Sequence, residues 1–139
     1  MILNQQQAVR AARRPLELFL RRVKNELGLD EVDLTVCLVS DTEIARMNEM
    51  FRRKKGPTDV LSFPCAAEPF ETENRSQLGE VVISVQRATA QARSNRLSFD
   101  NEVKQLILHG LLHLCGYDHE IDKGEMNRLE LRLRKELGI

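Results

Sequence analysis

Apolar residues recur along the chain with the two periods of regular structure, about 2 for strands and 3.6 for helices. Val32, Leu34, Val36 and Leu38 alternate on one side of a stretch whose other side carries Cys37 and Val39. That pattern predicts a strand over 32–39, buried on at least one face. Thr58 to Phe63, closed by Pro64, and Leu78 to Val85 predict two more strands, while Ile2 to Val9 fits either a short edge strand or a helix start. Helical spacing begins at Leu16, Phe19, Leu20, Val23 and Leu27, with Pro15 suited to a first turn and Gly28 a natural stop. Ser40 and Glu43 have the spacing of a capping box, and the helix they open is expected to turn Ile44, Met47 and Phe51 inward. Gln86 to Asn95 is helical, with a break near Leu97, and Ser98 or Asp100 caps the next helix. Asp122 and Glu125 open a last helix with Met126, Leu129, Leu133 and Leu137 as its stripe. Cys65 to Gln77 is polar, acidic and aperiodic, and is expected to be a loop.

The resulting order is strand, helix, strand, helix, two strands, three helices. It predicts an α/β protein of the α+β kind, with a single mixed sheet of about four strands under about five helices. At 139 residues the chain is expected to be one domain, residues 1–139. The stretch Leu106, Ile107, Leu108, Leu111, Leu112 and Leu114 is apolar nearly all round, so its helix should be the central, most buried one.

That helix carries the candidate chemistry. All three histidines lie in one short segment, His109, His113 and His119. On a helix, residues four apart are neighbours, so His109 and His113 can share one ion. Gly116 then permits a chain reversal that would return His119 to the same point. Three imidazoles with an open fourth position form a catalytic zinc arrangement, although nickel, copper or iron would also bind them. The spacing also resembles the long zincin pattern H-E-x-x-H-x-x-G-x-x-H, but Gly110 stands where that pattern has its general base, which disfavours a peptidase.

Charge and cysteines narrow the picture. Lys plus Arg equals Asp plus Glu, 21 each, so any nucleic-acid binding must rest on local patches. Arg10, Arg13, Arg14, Arg21, Arg22 and Lys24 form one basic helix face, and Arg52, Arg53, Lys54 and Lys55 a basic run. Cys37, Cys65 and Cys115 are odd in number and widely spaced, which suits buried thiols in a reducing cytoplasm. No apolar run has the length of a membrane span and the N-terminus lacks signal-peptide character, so a cytoplasmic protein is expected. One Tyr, five Phe and no Trp offer no evident stacking platform for bases.

Three blocks resemble the YbeY family of bacterial metal-dependent endoribonucleases. Asn48-Glu-Met-Phe-Arg52 through Pro57-Thr58-Asp59-Val-Leu-Ser62-Phe63-Pro64 is similar to its N-x-x-[FY]-R…P-T-[DN]-V-L-S-F-P block. Leu78-Gly79-Glu80-Val-Val-Ile-Ser84 resembles its L-G-[DE]-[IV]-x-I-S strand. His109-Gly110 through Gly116-Tyr117-Asp118-His119 resembles its H-G-x-L-H-x-x-G-[YH]-D-H signature throughout, Gly110 included. The resemblance implies one zinc per chain on His109, His113 and His119, with Arg52 and His109 as catalytic residues. It further implies single-strand-specific RNA cleavage in ribosomal RNA maturation, notably at the small-subunit 3′ end, and in ribosome quality control. Single-stranded RNA, the ribosome or small-subunit proteins are the implied partners, with neither DNA nor a membrane expected. Asp118 and Glu80 are the candidate carboxylates for a general base, Asp118 equally a partner that orients a histidine, and the RNA 2′-hydroxyl is an alternative nucleophile. A zinc-containing ribosome assembly factor without catalysis, or a zincin-like hydrolase of another substrate class, are the other readings.

Overall fold

The computed structural model describes residues 1–65, 77–118 and 120–139. Among these the elements run β1 (Ile2–Asn4), α1 (Arg13–Glu26), β2 (Asp33–Val39), α2 (Asp41–Arg52), β3 (Val60–Pro64), β4 (Gln77–Ser84), α3 (Val85–Asn95), α4 (Phe99–Leu114) and α5 (Glu125–Leu137). This is the expected order, and Ile2 opens an edge strand. The loop expected between Cys65 and Gln77 falls largely on 66–76, outside the described residues, and Gln77 itself begins β4.

The sheet is mixed, in the order β1-β2-β4-β3. β1 and β4 both lie parallel to β2, and β3 closes the edge antiparallel to β4. Strand alternation sorts side chains between two layers. Leu34, Val36 and Leu38 of β2, with Val81 and Ile83 of β4, face the larger core shared with α1, α4 and α5. Cys37, Val39, Leu61 and Val82 face Ile44 of α2 in a second, smaller core. Both faces of β2 are therefore covered, as its doubly apolar pattern requires.

α4 is the central helix. Ser98 caps it, its hydroxyl accepting from the Asn101 N–H at 3.1 Å, while Asp100 and Glu102 lie in the first turn, where negative charge suits the helix dipole. Val103, Ile107, Leu108, Leu111 and Leu112 are wholly buried. Each such side chain contributes about 1.5–3 kcal/mol on leaving water, so α4 is firmly seated. After Leu114 the chain turns back through Gly116 at φ 97°, and the Tyr117 N–H donates to the Leu112 carbonyl at 3.1 Å.

Gly110 is where α4 meets the sheet most closely. A Cβ there would sit 2.7 Å from Val81 Cγ1 and 3.1 Å from Ser62 Oγ, and Ser62 donates to the Gly110 carbonyl at 3.1 Å. Gly110→Ala is expected to cost about 1–3 kcal/mol as an overpacking change, read as a lowered denaturant midpoint with unchanged slope. The same contact leaves no room for the glutamate that a zincin carries at this position.

Two expectations are corrected. Phe51 does not point inward: it is 61% exposed, and its ring stands edge-on to Phe63, 5.3 Å between centroids. Ile44 and Asn48 are the buried residues of α2, because its last turn lies beside β3, the sheet edge, where the small core has run out. Of the three cysteines only Cys37 is buried. Cys65 follows the end of β3 and Cys115 caps α4, and both are exposed.

Candidate functional site

The paired histidines lie one turn apart on α4, and their rings meet. His109 Nε2 and His113 Nε2 are 3.2 Å apart, with the ring planes at 77°. Two nitrogens each about 2.0–2.1 Å from a tetrahedral ion lie about 3.3–3.4 Å from one another. The observed separation fits that requirement, as it also fits an N–H···N hydrogen bond. The third expected ligand, His119, lies outside the described residues. Among the described residues no three His, Cys, Asp or Glu side chains gather as a metal cradle.

Behind His109 stands a carboxylate that the sequence reading did not single out. Glu130 of α5 is 6% exposed, and its two oxygens lie 3.1 and 3.2 Å from His109 Nδ1. Arg134, one turn further along α5, donates to the same carboxylate at 2.9 Å. Burial pushes the Glu130 carboxyl up, but the hydrogen bonds and charges of His109 and Arg134 outweigh it and hold the group below its ordinary value. A carboxylate at this distance favours a proton on His109 Nδ1, the tautomer that would leave Nε2, 3.2 Å from His113 Nε2, available as a ligand.

The histidines open into a polar cavity of about 450 Å³. Arg52, the last residue of α2, lines it from one side; Thr58, Asp59 and Ser62 line it from β3 and its approach, and Asp118 from the turn after α4. Arg52 is thus brought to the same cavity as His109 and His113. Its place is set by α2 and by the loop that follows: Asn48 Nδ2 donates to the Gly56 carbonyl at 3.0 Å, and the Lys54 N–H to the Asn48 carbonyl at 3.3 Å.

The two suggested carboxylates separate. Asp118 lines the cavity. Glu80 does not: it pairs with Phe63 in register and shares the α2 face of the sheet with it, where burial and then Glu80 push the Cys37 thiol up. Asp59, also missed, lines the cavity, accepting from the Val60 N–H at 2.8 Å and from Gln91 Nε2 at 3.2 Å.

Fold and cavity together define an α+β protein with a polar cleft at a sheet edge, lined by two facing imidazoles, an arginine and carboxylates. The family model described as Endoribonuclease YbeY matches residues 1–138. A Solibacter usitatus relative named Endoribonuclease YbeY is 42% identical over 128 residues, covering 91% of this chain and 81% of the relative. One of the same name from Koribacter versatilis is 39% identical over 139 residues, covering 100% and 86%. The solution structure of TM1509 from Thermotoga maritima superposes with a TM-score of 0.65 at 29% identity, covering 99% of this chain and 89% of that one. This chain belongs to the endoribonuclease YbeY family.

Proposed function

We propose that the protein is a zinc-dependent endoribonuclease that cuts single-stranded RNA, acting on ribosomal RNA at the small-subunit 3′ end and in ribosome quality control. The observation that carries this reading is the meeting of Arg52, His109 and His113 at one polar cavity in a chain of this family. The ribosome or its small-subunit proteins are the proposed partners and the cytoplasm the proposed location. Among the described residues no helix is long and apolar enough to cross a membrane.

His109, His113 and His119 are the proposed zinc ligands, one ion per chain. When bound, the zinc supplies a Lewis acid for negative charge developing on the phosphate. The remaining steps belong to the chain's own residues. Arg52 presents a fixed fork of N–H donors to the non-bridging phosphate oxygens and stabilises the same charge. Glu130 orients His109 and is itself held by Arg134. Because carboxylates behind metal-bound histidines set tautomer and basicity, Glu130→Gln is expected to lower zinc affinity or cleavage rate by about 10–100-fold. A chelator-competition titration beside a cleavage assay reads this.

The reading is tested with metal-loaded protein and RNA of matched sequence, presented single-stranded and as a duplex. Cleavage confined to the single strand supports it; no cleavage of either, by folded and metal-loaded protein, refutes it. The product ends identify the nucleophile. A 2′,3′-cyclic phosphate marks attack by the RNA 2′-hydroxyl, and linear monophosphate ends mark attack by water.

A further inference from the structure

Phe63 packs against the smaller core, but Phe51, whose ring stands against it, is explained neither by the core nor by the cavity. Phe51 is 61% exposed and Met50 beside it 59%, so two large apolar side chains are exposed next to each other, where single ones would be ordinary. The two rings stand edge to face on the α2 side of β3. On the opposite side of that same strand Val60, Ser62 and Pro64 line the cavity. Among the described residues β3 is the sheet edge, so an RNA strand passing around it joins the two sides without crossing the fold. Arg52 follows Phe51 directly and lines the cavity, and Arg53, Lys54 and Lys55 continue the positive charge, in a loop pinned to α2 through Asn48. Glu80 is the register partner of Phe63 on β4 and lies on the same face of the sheet.

We infer that the Phe51–Phe63 pair is a base-stacking platform, on which a nucleotide flanking the cleaved bond is held as the RNA strand leaves the cavity around the edge of β3. Exposed aromatic faces beside a cationic track are how proteins grip single strands with little regard to sequence. A duplex offers no unstacked base to the ring, so the platform also selects for single strands. Arg52 holds the phosphate at the cavity, the Arg53–Lys55 run holds its neighbour, and Phe51 holds the base. This inference rests on RNA being the substrate, and its test reads binding separately from cleavage.

The test measures equilibrium binding of a short single-stranded 2′-O-methyl RNA, which blocks attack by the 2′-hydroxyl, to wild type, Phe51→Ala and Phe51→Trp. Stacking of one base predicts about 5- to 150-fold weaker binding by Phe51→Ala, with an unchanged slope of log affinity against log salt. Lys54→Ala is expected instead to reduce that slope by about one. The chain has no tryptophan, so Phe51→Trp introduces a single reporter. Binding should be kept in that variant, and its fluorescence quenched by the RNA but not by an abasic strand of equal length. Wild-type affinity in Phe51→Ala, or equal quenching by the abasic strand, overturns the platform while leaving the nuclease reading intact. Failure of the wild type to bind any single-stranded RNA overturns both. Phe51→Ala that binds RNA normally but loses a ribosomal protein contact assigns the patch to a protein partner and overturns the platform.

Discussion

His113→Ala is expected to remove divalent-ion binding and RNA cleavage together while leaving the fold in place. The imidazole is one of two whose nitrogens face each other at 3.2 Å, and it is only partly buried at the cavity rim, so little core is lost with it. The proposed zinc would lose one of three protein ligands. Cleavage should fall by more than the roughly 10²–10³-fold that removal of a single preorganised electrostatic partner costs. Elemental analysis, far-ultraviolet circular dichroism and a cleavage assay on one preparation separate this from unfolding. A variant that keeps both metal and activity would remove His113 from the site.

Arg52→Ala is expected to give the complementary result. Cleavage should drop by about 10²–10³-fold while the metal content stays at the wild-type level, because Arg52 comes to the cavity from α2 rather than from the histidine helix. A lysine there should restore only part of the rate, since a point charge lacks the guanidinium fork. Equal loss of metal and activity in Arg52→Ala would mean that the arginine supports the histidines rather than the phosphate.

The parts of this arrangement that were legible in the sequence are those written in local spacing. His109 and His113 are neighbours because they are four apart, and Ser40 and Ser98 cap helices because hydroxyls just ahead of apolar runs do so. The alternation of β2 foretold a strand buried on at least one face, and the fold covers both. What escaped was tertiary. Glu130 lies 21 residues from His109 and on another helix. A signal for it did exist: Glu130 sits in the stripe Met126, Glu130, Leu133, Leu137, where an apolar residue would be expected and where an unpaired charge would be expensive. Glu80 was misplaced for a similar reason. Strand alternation fixes only that Glu80 opposes Val81, and it is the packing of α4 against Val81 at Gly110 that decides which face holds the cavity. Phe51 has inward spacing, but helical period says nothing of where a sheet ends. Gly110, a missing base when compared with a zincin, becomes in three dimensions the contact that seats the histidine helix on the sheet.

The facing imidazoles are proposed to hold an ion on which RNA cleavage depends. The most direct measurement is cleavage of a single-stranded RNA by one preparation of the wild-type protein before chelation, after chelation and after zinc is restored, with metal content determined at each stage. The expected result is about one zinc per chain, loss of cleavage in step with loss of the ion, and recovery on its return with the fold intact throughout. Undiminished cleavage by folded, metal-free protein would contradict it.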